Sequence, residues 1–175
     1  GGYTPLPEAW ETNNPLFSYT GIFLEKLSRE FFYPGGVHLL NPPKGGTAKR
    51  SVYLGDEITL ENLTEIDGTV LDGLRRVESD AFLHDPDLIL VQYGIYDAFG
   101  RMSTDTYRRA LQEIVDRAKQ QSIDVILLGP GLVRYGSGAM EWGVTRPYTM
   151  TAREVALANG VLFQDAGQYL SRFGG

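Results

Sequence analysis

Few residues in this chain are equipped for catalysis. Of 175 residues two are His, His38 and His84, and none is Cys. Without Cys there is no disulfide framework, no thiolate zinc site and no Cys nucleophile. His38 lies inside a short apolar run and His84 precedes Asp85-Pro86. The two therefore fall on opposite edges of any sheet built from these segments, so they make no metal pair, and each reads as an ordinary structural or exposed His. Asp56, Glu57, Glu61, Glu65 and Asp67 form a carboxylate-rich stretch that could serve a paired-acid mechanism or hold calcium. Calcium loops need a denser alternation of oxygen ligands, and a solvated acidic hairpin is the simpler reading. Gly45-Gly46 lacks both the Walker spacing and the Gly-x-Gly-x-x-Gly fingerprint, leaving an ordinary turn or an anion-friendly backbone nest. Asn62-Leu63-Thr64 is a glycosylation sequon, too short a pattern to carry weight. The stretch Arg134 to Tyr148 is the most unusual, with Arg134, Tyr135, Met140, Glu141, Trp142, Arg146 and Tyr148 among Gly136, Gly138 and Gly143. Exposed aromatics beside Arg and Glu suit a sugar or a protein partner; alternatively Trp142 packs down as an anchor over a sheet edge. No metal or cofactor is expected.

The elements that must position these residues are legible from periodicity. Residues 1 to 14 are an irregular lead-in anchored by Trp10; a helix is expected from Leu16 to Phe32, stopped by Pro34-Gly35-Gly36. Val37 to Leu40 reads as a buried strand, and Ser51 to Leu54 and Ile58 to Leu63 as weaker strands of a hairpin-like insertion over about 49 to 66. Thr69 to Leu83 is helical by its spacing of Val70, Leu71, Leu74 and Val77. Leu88 to Val91 is a continuous apolar strand; Ser103 and Thr104 cap a helix with the face Tyr107, Ala110, Leu111, Ile114, Val115, Ala118. Val125 to Leu128 is a strand, Pro130 to Arg146 a long Gly-rich loop, Pro147 to Asn159 a helix ended by Gly160, and Val161 to Phe163 a last strand. Continuous apolar strands alternating with amphipathic helices predict a single α/β domain over 1 to 175, with a mostly parallel sheet covered on both faces. Ligands in such folds bind at the carboxyl ends of the strands. That edge would gather Asn41, Gly45 and Gly46, then Gly94, Tyr96 and Asp97, then Arg134, Tyr135, Trp142 and Arg146, then Asp165.

Charge narrows the partners. With 16 Lys and Arg against 22 Asp and Glu the net charge is −6, and the basic residues form only isolated pairs, so nucleic acid and anionic membrane surfaces are not expected partners. No apolar run reaches the ~18 residues of a membrane span, and no basic-then-apolar signal segment opens at Gly1. Compartment stays open.

Tyr19 to Gly46 has the order helix, strand, Asn41 and a Gly-Gly turn; Asp87 to Asp97 is an Asp-led apolar strand ending in Gly94-x-x-Asp97; Val125 to Pro130 and Ala152 to Asp165 follow. In this order the chain resembles the SGNH (GDSL-like) hydrolase superfamily over roughly residues 19 to 170. The resemblance implies a three-layer α/β/α sandwich, flavodoxin-like, and an ancestry of ester hydrolysis on acetylated sugars, lipids or acyl thioesters. It also implies where residues depart. The family's Ser follows Gly-Asp at the end of a first strand that is absent here. The similar string Tyr53-Leu54-Gly55-Asp56-Glu57 puts Glu57 at the Ser position and comes after the block it should precede. Gly45 or Gly46 stands for the family's oxyanion-hole Gly. Tyr96 stands where the family has its oxyanion Asn, while Gly94 and Asp97 fit. No Asp-x-x-His follows Asp165 before Gly175.

Ser-dependent acyl transfer needs a base within hydrogen-bond reach and donors aimed at the developing oxyanion. The expected positions supply neither, and the leading expectation is a domain of esterase ancestry, catalytically incomplete on this chain, acting as a binding or structural module for an acylated carbohydrate, another small ester, or a protein at 134 to 148. The alternative is an active esterase whose Ser and His lie on flanking segments or another chain, or whose chemistry has moved to Glu57, Asp97 or Asp165. A flavodoxin-like nucleotide or flavin binder is the weakest reading, because the loop after the first strand lacks Ser/Thr-rich phosphate-binding character.

Overall fold

The computed structural model describes residues 30, 36–40, 57–61, 63, 68–131, 133–135, 139–141 and 143–171. The chain divides into two compact units, Gly1–Ile66 and Asp67–Gly175.

In the first unit, β1 (Gly36–Leu40) pairs in parallel with β2 (Glu57–Glu61), from Gly36 opposite Glu57 to Leu40 opposite Glu61. The hairpin-like insertion expected over about 49 to 66 thus contains a strand that runs parallel to β1. The stretch from 41 to 56 exceeds the dozen or so residues that a parallel crossover requires. The lead-in, the helix expected from Leu16 (apart from residue 30, which is helical) and the strand expected at Ser51 to Leu54 lie outside the described residues.

The second unit is built on the parallel sheet β3 (Leu88–Gln92), β4 (Asp124–Leu128) and β7 (Leu162–Gln164), in that spatial order. Three longer helices flank it: α1 (Val70–Arg76), α3 (Thr104–Gln120) and α4 (Arg146–Asn159). The crossovers β3–α3–β4 and β4–α4–β7 step the same way across the sheet, so the right-handed rule puts both helices on one face, and there they pack on each other. The six residues expected on the apolar face of α3 are all buried. Tyr107, Leu111, Ile114 and Val115 join Val70, Phe82, Val91, Leu127, Tyr148 and Val155 in one core.

Local chemistry explains the element ends. Thr69 caps α1, its hydroxyl accepting from the Asp72 amide at 3.3 Å while the Asp72 carboxylate accepts from the Thr69 amide at 2.9 Å, a reciprocal capping box. Beyond Arg76 the helix widens to i→i+5 bonding over Val77–Ala81, tightens to 3-10 over Phe82–His84, and stops at Asp85, whose φ of 50° is left-handed. The Ser103 hydroxyl caps α3 by accepting from the Thr106 amide at 3.1 Å. Gly160, at φ 65°, ends α4, where a side chain would be strained.

Two expected loops are elements. Gly94 to Asp97 opens the short helix α2 (Ile95–Phe99). Within the Gly-rich stretch from Pro130, β5 (Val133–Tyr135) pairs antiparallel with β6 (Ala139–Glu141); Gly136-Ser137-Gly138 separates two short segments that are long enough to pair but too short to show a period. A final helix, α5 (Ala166–Ser171), follows β7.

Candidate functional site

Register brings the site segments together. Gln92, Leu128 and Gln164, the last residues of the three strands, are neighbours across the sheet. The residues that follow them therefore leave at one edge: Tyr93 to Asp97 after β3, Gly129 and Pro130 after β4, Asp165 after β7. The edge is knitted by polar contacts. The Gln92 side-chain amide donates to the Gly129 carbonyl at 3.3 Å, and the Gly129 amide to the Gln164 carbonyl at 2.8 Å. A Cβ on Gly129 would stand 3.2 Å from Thr149 Cγ2 and 3.4 Å from Phe163 Cζ, so backbone packs directly on side chain there.

Asp97 organises the loop after β3. Its carboxylate is fully buried; Oδ1 accepts from the Val70 amide at 2.9 Å and Oδ2 from the Gly94 amide at 2.8 Å. One side chain thereby joins the start of α1 to the start of α2. Burial raises the Asp97 carboxyl above the usual Asp value, while the Val70 and Gly94 amides oppose that rise. Asp72 moves the other way, held below its ordinary value chiefly by the Thr69 hydroxyl and amide. Two tyrosines close the loop from below, their rings edge to face at a centroid separation of 5.2 Å. The Tyr107 hydroxyl donates to the Tyr93 carbonyl at 3.0 Å; that of Tyr148 lies 3.3 Å from the Asp97 carbonyl and closer still to that of Met102. Burial, with the Asp97 charge second, raises both phenols, so they remain donors across the working pH range. Gly94 is required by its conformation: at φ 117° a Cβ would stand 3.0 Å from Pro130 Cγ and 3.2 Å from the Tyr107 hydroxyl.

The candidates sort by this geometry. Gly94, Tyr96, Asp97 and Asp165 share the edge. Both Asp97 oxygens already accept backbone amides inside the protein. Asp165, half-buried, accepts from the Gln168 amide at 2.9 Å and caps α5. Arg146 opens α4 and is exposed. Arg134 and Tyr135 lie on β5, opposite Met140 and Ala139. Glu57 begins β2 at its amino end, the end of a parallel strand away from the usual ligand edge. Asn41, Gly45, Gly46 and Trp142 lie outside the described residues. Gly68-Thr69-Val70, not among the expected site residues, is drawn to the site by the Val70–Asp97 bond; its readable signal was the capping pair Thr69 and Asp72 immediately after a Gly. His84, in the 3-10 turn ahead of β3, sits at the opposite edge.

Among the described residues no cluster of three or more His, Asp or Glu could hold a metal ion, and no helix is long and apolar enough to cross a membrane. Neither Ser nor His stands in the described segments 93–101, 129–131 and 165–170 that follow β3, β4 and β7; Ser171 ends α5, and Ser103 is engaged in the cap of α3.

Residues 53–174 match the GDSL-like lipase/acylhydrolase family. The chain belongs to that family. The match starts at Tyr53, just ahead of Gly55-Asp56-Glu57, and covers the second unit up to residue 174. No curated protein matches by sequence. Among solved structures, LAE5, an α/β hydrolase from the metagenome of Lake Arreo, Spain, is 19% identical with a TM-score of 0.60, over 82% of each chain. A lipase/acylhydrolase from Enterococcus faecalis is 18% identical with a TM-score of 0.56, over 78% of each chain. The acetyl xylan esterase AlAXEase is 16% identical with a TM-score of 0.54, covering 76% of this chain and 78% of its own. At these identities the likeness is one of fold: the parallel sheet with flanking helices of this GDSL-like family member is that of SGNH hydrolases.

Proposed function

We propose that this GDSL-like domain binds a neutral acyl ester of the acetylated-carbohydrate class at the carboxyl edge of β3, β4 and β7, and that it does so without Ser-dependent turnover on this chain. The observation that carries the reading is the Gly94–Asp97 loop. It is held at the Gly94 amide and at the Tyr93, Gly94, Tyr96 and Asp97 carbonyls, yet it carries Tyr96 where the family resemblance calls for an Asn. A Tyr hydroxyl lies several ångströms farther from the backbone than an Asn amide and cannot take the same oxyanion. We place the family's oxyanion Gly at Gly68, because Val70, two residues farther on, donates its amide to Asp97 in this loop. Asp97 offers no substitute base, since both its oxygens accept buried amides, while Asp165 has one oxygen engaged in the cap of α5.

The rival reading is an active esterase with its Ser and His supplied from elsewhere; the esterase neighbours favour it. Fluorophosphonate labelling of the purified chain, read by intact mass, separates the two, with p-nitrophenyl acetate hydrolysis alongside. The expected result is no labelled Ser and hydrolysis at the buffer rate. Stoichiometric labelling of Ser51, Ser103 or Ser137, abolished by changing His38 or His84, would establish the enzyme reading instead.

A further inference from the structure

We propose that Tyr96 and Phe99 form an aromatic shelf that stacks a pyranose ring of a neutral oligosaccharide, a subsite that deepens, and rests on, the carbohydrate-ester reading. Both residues belong to α2, one turn apart, at the carboxyl edge of β3. They remain 40% and 41% exposed, and their rings meet edge to face, centroids 6.4 Å apart and planes at 67°. Each ring therefore limits the other's rotation while leaving aromatic surface to solvent.

The shelf is rigid for reasons outside the rings. Asp97 ties the first turn of α2 to α1, the Tyr96 carbonyl accepts from the Gly100 amide at 2.8 Å, and the Asp97 carbonyl accepts from the Met102 amide at 2.9 Å. Little ordering cost remains when a ligand lands on it, the condition under which a weak stacking contact yields measurable affinity.

Its chemistry selects among ligands. A pyranose has an apolar face of C–H groups and a rim of hydroxyls, so it can cover a π face while its rim stays in water. A free acyl chain gains little from an open, half-solvated surface and needs an enclosed apolar pocket. The net charge of −6 disfavours polyanions such as polyuronates or nucleic acid.

Xylohexaose is the probe, titrated into the full 175-residue chain by calorimetry and by amide chemical shifts. Tyr96→Ala and Phe99→Ala are each expected to weaken binding about fivefold, and Tyr96→Phe, which keeps the ring, to stay within about twofold. Tyr96→Leu and Phe99→Leu preserve apolar volume without a π face; they are expected to weaken binding like the Ala variants and to serve should those fail to fold. Parent-like binding by folded Ala or Leu variants overturns the shelf. Should xylohexaose fail to bind while xylose tetraacetate still shifts the Gly94 and Asp165 amides, the shelf falls and the ester-binding reading stands. Should neither probe bind, both fall.

Discussion

Asp97, a catalytic candidate in the sequence, accepts the Val70 and Gly94 amides on its two carboxylate oxygens. Asp97→Ala leaves the Val70 and Gly94 amides buried and unpaired, each a desolvation cost, and is expected to destabilise by about 2–5 kcal/mol in urea unfolding. Loss below about 1 kcal/mol would mean that water or a shifted loop replaces the carboxylate. The pH dependence follows from the directions of the shifts. Burial raises the Asp97 carboxyl, so its contribution is complete below the unfolded pKa and is lost as pH rises through the folded value. Asp72 is lowered, so its contribution is present above the unfolded pKa and is lost as pH falls through the folded value. Asp97→Asn should therefore flatten the decline above about pH 4, and Asp72→Asn the decline below it; unchanged slopes would refute both assignments. Gly94→Ala should cost about 1–3 kcal/mol through its positive φ and the contact with Pro130.

At the scale of elements, α3 was the most legible, because its apolar face repeats over about three turns, from Tyr107 to Ala118, and nothing in its sequence competes. Leu111→Ala should cost about 2–5 kcal/mol, since Leu111 is almost fully buried within the core. A cost under about 1 kcal/mol, read from urea midpoints, would contradict that packing. The pair β5 and β6 was not legible: three-residue strands leave too few alternations to stand out against their glycines. The Gly94–Asp97 helix was equally hidden, because a single turn has no period, and its structure depends on a carboxylate that meets Val70 only after the chain has folded. The parallel pairing of β2 with β1 was not legible either, as strand propensity carries no information on partner or pairing sense. The site was legible only as an edge. Strand order placed Gly94, Tyr96, Asp97 and Asp165 together, whereas the approach of Val70 to Asp97 depends on a contact between residues 27 apart in sequence.

For the whole molecule, the proposed ligand edge rests on the carboxyl ends of the parallel strands, and the net charge of −6 disfavours polyanionic ligands there. The amide spectrum of the intact chain during titration with xylose tetraacetate tests this most directly, because it reports every part of the surface at once. The account predicts perturbations confined to the carboxyl edge, at Gly94, Tyr96, Gly129 and Asp165. Perturbations clustered instead at His84, Gln121 and Asn159, on the opposite edge of the sheet, would contradict it.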